Sequence, residues 1–70
     1  MAKISARGSV ALERLDTGHC VYVLCSDGRV LYATRFSDGK LSDYLVYAKG
    51  TVENGRLLLA EKRAAARSAH

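Results

Sequence analysis

The chain has 70 residues, eleven Lys or Arg against seven Asp or Glu, a net charge of +4 and an apolar share of 49%. That share excludes a disordered polyelectrolyte, and no apolar run is long enough to span a membrane. A core this small barely offsets the entropy of ordering the chain, so a partner or a second subunit is a natural source of further stability.

Residues 1–8 are small, polar and basic, with Lys3 and Arg7, and read as a flexible arm. No apolar core of signal-peptide length follows Met1, and two cysteines suit a reducing compartment, so a cytoplasmic location is expected. Ser9–Leu15 is expected to be a strand, with a short helix as the alternative. Val10, Leu12 and Arg14 fall on one face of it; Ala11, Glu13 and Leu15 fall on the other. Asp16-Thr17-Gly18 then marks a turn with glycine in the left-handed position.

His19 to Ala48 reads as three strands joined by two copies of one turn, Ser26-Asp27-Gly28-Arg29 and Ser37-Asp38-Gly39-Lys40. Asp-Gly between apolar runs predicts a two-residue type I′ hairpin. Counting outward pairs Cys25 with Val30 and Val23 with Tyr32. Across the second turn it pairs Phe36 with Leu41, Tyr32 with Leu45 and Val30 with Tyr47. One face then carries Val21, Val23, Cys25, Val30, Tyr32, Phe36, Leu41, Leu45 and Tyr47, the expected core. The other carries Cys20, Tyr22, Leu24, Leu31, Ala33, Tyr44 and Val46, with Arg35 and Ser42 near one end. This second face is also largely apolar, and something must cover it. Asp43 falls opposite Thr34 on the core side, an uncomfortable place for a carboxylate.

Segments 15–25, 26–36 and 37–47 form a faint eleven-residue repeat, each with a glycine near its start, which suits a meander or small barrel. Leu57 to Arg67 is rich in strong helix formers, and Asn54 is a good N-cap, so a helix is expected over about 55–67. Leu57, Leu58, Ala60, Ala64 and Ala65 would face the sheet. Arg56, Lys62, Arg63 and Arg67 would form an outward basic stripe. Asn54-Gly55-Arg56 also resembles a third hairpin turn leading into a strand. Residues 68–70 should fray. The fold expected is a single α+β domain over 1–70: a small antiparallel β-meander of 3–4 strands with a C-terminal α-helix packed on one face. The alternative is an all-β small barrel with a fifth strand at 56–60.

Little of the sequence suggests chemistry. Cys20 and Cys25 point to opposite faces of one strand, too far apart for a disulfide, and lack the further ligands that zinc needs. His19 alternates away from Cys20, and His70 is terminal. Asp27 and Asp38 are turn residues. No phosphate loop, nucleophile set or carboxylate pair is present, so no enzyme, cofactor or metal is expected. The tyrosines are the large anchors, either as core or, for Tyr22 and Tyr44, as contact residues on an open face. With Arg35 they would also suit base stacking. The candidate partner-binding residues are therefore Tyr22, Arg35, Tyr44, Arg56, Lys62, Arg63 and Arg67.

The opening Met1-Ala2-Lys3-Ile4-Ser5-Ala6-Arg7-Gly8, followed by Tyr-Val-Leu-Cys-Ser-Asp-Gly-Arg-Val-Leu, resembles small uncharacterised proteins of actinobacterial phages over the first half of the chain. The resemblance implies a small phage protein that binds and modulates a larger host protein, and it assigns no site residues. Three functions stand as expectations. One is a non-enzymatic protein-binding module, in this light a phage-encoded inhibitor or modulator of a host protein. A second is a nucleic-acid binder using the basic helix and N-terminal arm, with salt-sensitive affinity. The third is a homodimer that covers the second sheet face with itself. No membrane partner is expected.

Overall fold

A computed structural model describes residues 9–68. Four strands, β1 (Ala11–Asp16), β2 (Cys20–Cys25), β3 (Val30–Thr34) and β4 (Leu45–Ala48), lie side by side in that order, each antiparallel to the next. One helix, α1 (Val52–Ser68), packs on one face. This is the α+β meander, and residues 56–60 belong to the helix rather than to a fifth strand. The expected arm at 1–8 and the tail at 69–70 lie outside the described residues, whereas Ser68 closes α1.

The two Asp-Gly loops are alike, but they are not type I′. Among the described residues none other than glycine has positive φ, while Gly28 and Gly39 sit at 93° and 89°. Gly28 N–H donates to the Cys25 carbonyl at 3.0 Å, and Cys25 N–H donates to the Arg29 carbonyl at 2.8 Å. Gly39 and Lys40 repeat both bonds with Phe36, at 2.9 and 2.7 Å. Each loop is thus a type I turn followed by a glycine bulge, one residue longer than the expected turn. Asp27 and Asp38 keep ordinary φ and instead accept the N–H groups of Arg29 and Lys40, each at 3.0 Å. Gly18 supplies the left-handed residue of the first turn, as expected.

That extra residue shifts the register by one. Leu24 pairs with Val30, Val23 with Leu31 and Tyr22 with Tyr32. A one-residue slip moves a strand's side chains to the opposite face relative to its neighbour. Val30 and Tyr32 therefore join Tyr22 and Leu24, not Val21, Val23 and Cys25. Further shifts follow at each edge. Leu12 is an extra residue of β1 and Tyr47 an extra residue of β4, where Val30 pairs with Ala48 rather than with Tyr47. Tyr32 does pair with Leu45, as counted. The expected third strand from Lys40 shrinks to β4 and a single bridge between Arg35 and Leu41. Ser42, not Asp43, lies opposite Thr34 and exchanges hydrogen bonds with it, which leaves Asp43 exposed. Phe36, expected in the core, is exposed.

The helix begins earlier than its composition suggests. Thr51 is the N-cap: its Oγ1 accepts the Asn54 N–H at 3.1 Å, and its carbonyl accepts the Gly55 N–H at 2.9 Å. Val52, Gly55, Leu59, Lys62 and Ala66 recur at helical spacing and form the sheet-facing side. Leu57 is 65% exposed, and Ala60, Ala64 and Ala65 are also exposed, so of the five residues expected to face the sheet only Leu58 joins the core. The core proper is Leu15, Leu24, Val30 and Leu59, flanked by Tyr22, Ala48, Val52 and Leu58. Each aliphatic side chain fully buried there contributes about 1.5–3 kcal/mol.

Candidate binding surface

Because α1 covers the side of Leu24 and Val30, the opposite side of the sheet has no second layer among the described residues. Paired residues on antiparallel strands share a face. Following the pairs across the sheet gives one row on the open side: Arg14, Val23, Leu31 and Val46, from β1 to β4. Val46 is 47% exposed, and Val23 and Leu31 are half-buried. An apolar band closed by an arginine therefore crosses three strands.

A second row on this face behaves differently. Asp16 pairs with Val21, and Val21 with Ala33. Arg35 continues the alternation of Leu31 and Ala33, and its guanidinium bonds the Asp16 carboxylate. Asp16 ends β1 and Arg35 follows β3, so this ion pair crosses β2 at Val21. Val21 and Ala33 are fully buried. The bridge closes one end of the open face and leaves the Val23–Leu31–Val46 row without a covering layer among the described residues.

On the helix side the tyrosines gather. Tyr47 meets Tyr22 edge to face at 5.4 Å between ring centres, and meets Tyr32 at 5.5 Å. Lys62 reaches back over this cluster, with Nζ 5.0 Å from the Tyr47 ring centre and 5.9 Å from that of Tyr22. The Tyr47 hydroxyl bond, foremost, holds the Lys62 ammonium above the usual lysine range, while partial burial pulls the other way. Burial is the main reason the Tyr22 phenol is raised, and nearby Cys20 adds to it. Beside the cluster lies a groove of about 430 Å³ between Cys20 and Tyr22 on the sheet and Lys62 and Ala66 on the helix. His19 lines the same groove, so it and Cys20 do approach one site despite strand alternation. Both cysteines are free thiols, and among the described residues no three His, Cys, Asp or Glu side chains gather as a metal-binding set.

The residues expected to bind a partner are thus dispersed. Tyr22 and Lys62 meet, but on the helix side, and Lys62 leaves the outward stripe to which it was assigned. Arg56, Arg63 and Arg67 do share one exposed helix side, where Arg63 bonds Glu13 of β1 at 3.1 Å. Arg35 is held by Asp16, and Tyr44 lies exposed just before β4. The Val23–Leu31–Val46 row was missed because the two-residue turn put Val23 opposite to Leu31 and Val46. The signal was present: Ser-Asp-Gly also suits a type I turn with glycine at its fourth position.

No helix among the described residues is long and apolar enough to cross a membrane. In comparisons with known proteins, no family model, no curated protein and no solved structure matches the chain.

Proposed function

We propose that this chain is a small protein-binding module whose contact surface is the open sheet face. The observation that supports the reading is the row Val23, Leu31 and Val46, an apolar band left outside the one helix. Exposed apolar bands with polar ends suit protein contact better than solvation. Arg14 at the end of the row and the net charge of +4 favour a partner whose apolar patch has an acidic border. The wider expectation, modulation of a larger host protein, is one instance of such a module.

Nucleic-acid binding is the competing reading, and it rests on Arg56, Arg63 and Arg67. Arg63 is already engaged by Glu13, which weakens that stripe as a phosphate contact. The test compares what two sets of variants retain from the native cell extract. Val23→Lys with Leu31→Lys should lose a retained protein that Arg56→Glu with Arg67→Glu still holds. The opposite pattern, with retention removed by added salt and by nuclease, would overturn the proposal in favour of nucleic acid.

A further inference from the structure

The two edges of the sheet differ in how they are protected. β1 carries Glu13, Arg14 and Asp16 along its six residues. Charges on an edge strand discourage pairing with another chain. β4 reads Leu-Val-Tyr-Ala, without charge, proline or glycine, and Tyr44 precedes it. Tyr44, Leu45, Val46 and Tyr47 are all exposed. One side of β4 is bonded to β3, and among the described residues the strand order places nothing on its other side. Its outward N–H and C=O groups, interrupted at the Tyr47 bulge, form a template for one more strand.

The residues around β4 say which strand fits. Asp43 lies three residues before Val46, and Lys49 lies three residues after it. Both are exposed. We infer that β4 pairs antiparallel with β4 of a second copy, Val46 opposite the partner's Val46, about a two-fold axis normal to the sheet. Asp43 then stands opposite the partner's Lys49, and the symmetry repeats that opposite-charge pair at the other end. Tyr44 stands opposite the partner's Ala48, and Leu45 opposite the partner's Tyr47. Moving the register by one residue either way breaks both charge pairs, because Asp43 would then face the partner's Ala48 or the partner's Gly50. The strand is complementary to itself in charge and apolar throughout its middle.

The axis keeps both helices on one side of an eight-stranded sheet. On the other side the row Val23–Leu31–Val46 runs on through the partner's Val46, the partner's Leu31 and the partner's Val23. At about 4.8 Å per strand this makes an apolar strip of about 24 Å. The pairing stands on β4 alone; that the strip is a contact surface rests on the function proposed above.

The experiment is the solution mass of the purified chain across a concentration series, by light scattering and sedimentation, at low and moderate salt. The wild type should form a dimer. Asp43→Lys or Lys49→Asp alone sets like charges opposite each other at both ends and should weaken the dimer about tenfold or more. The double variant Asp43→Lys with Lys49→Asp restores both pairs and should recover the wild-type constant. A monomer at every concentration up to about 1 mM would overturn the pairing. So would a dimer indifferent to both single reversals, or one lost through Leu31→Lys and not through them. A dimer lost through Leu31→Lys would place the self-contact on the open face instead; the other results leave the proposed contact face to the retention experiment.

Discussion

Gly55 of α1 rests directly on Leu24 of β2. A Cβ at position 55 would collide with Leu24 Cδ1 and come within 3.3 Å of Val30 Cγ2. Leu24 is fully buried, so moving its side chain aside would displace the core around it. Alanine is the better helix former by about 1 kcal/mol. Overpacking a tight core costs about 1–3 kcal/mol. The second effect should win, so Gly55→Ala is expected to destabilise the chain despite its gain in helix propensity. Urea unfolding would show a midpoint below that of the wild type.

Gly28 and Gly39 occupy equivalent loop positions with almost the same φ, yet they should respond differently. A Cβ on Gly39 meets nothing within 4 Å, whereas one on Gly28 would strike the backbone carbonyl of Gly50. Gly39→Ala should cost only the left-handed strain, about 1–2 kcal/mol. Gly28→Ala should cost more, because it also pushes away the segment that leads into Thr51 and the helix. Thermal unfolding of the two variants side by side gives the comparison, at about 4–8 °C per kcal/mol for a domain of this size.

Thr51 rather than Asn54 caps the helix, through the bond from Asn54 N–H to Thr51 Oγ1. Thr51→Ala should therefore lower stability by about 1 kcal/mol. Asn54→Ala should change it little, since Asn54 contributes its backbone N–H and not its side chain to the cap. Equal losses at the two positions would contradict the assignment.

The Tyr22 phenol and the Lys62 ammonium both hold their protons more tightly in the folded chain than is ordinary, for burial and for the Tyr47 bond respectively. Stability from raised groups is complete below their unfolded values, near 10 for both types, and is lost as pH rises through the folded values. Unfolding free energy should fall at alkaline pH, and Lys62→Met should flatten the part of that fall due to the ammonium by losing its contribution already at neutral pH. Asp27 acts at the other end of the scale. The Arg29 N–H, first among its partners, lowers its pKa, so its contribution is present above the ordinary carboxylate range and fades as pH drops below it. Asp27→Asn should make unfolding less sensitive to acid.

The strands and the helix could be read from residue types, and the faces could not. Cys-Val-Tyr-Val-Leu-Cys demands a strand, and Leu57 to Arg67 favours a helix, by local preference alone. Which residues face the helix depends on one detail of the Asp-Gly loops. Both turn types put glycine at positive φ, and they differ in whether aspartate joins it there. Here aspartate caps the loop from an ordinary conformation, and the register moves by one. The helix phase was hidden for a related reason. Leu57, Leu58 and Leu59 are consecutive and mark no single stripe, so the deciding residue is Gly55, whose value lies in close approach to Leu24. Lys62 sits on the sheet side because its long apolar stem can lie over the tyrosines while the charge stays near water.

The central claim is that the register leaves Val23, Leu31 and Val46 open and hides Leu24, Val30 and Leu59. A soluble paramagnetic probe added to a methyl-labelled sample tests this directly. The account predicts that the methyl signals of Val46, Leu31 and Val23 broaden strongly, while those of Leu24, Val30, Leu59 and Val21 stay sharp. Broadening of the Val30 methyls with protection of Leu31 would contradict it, because that is the pattern of the register one residue away.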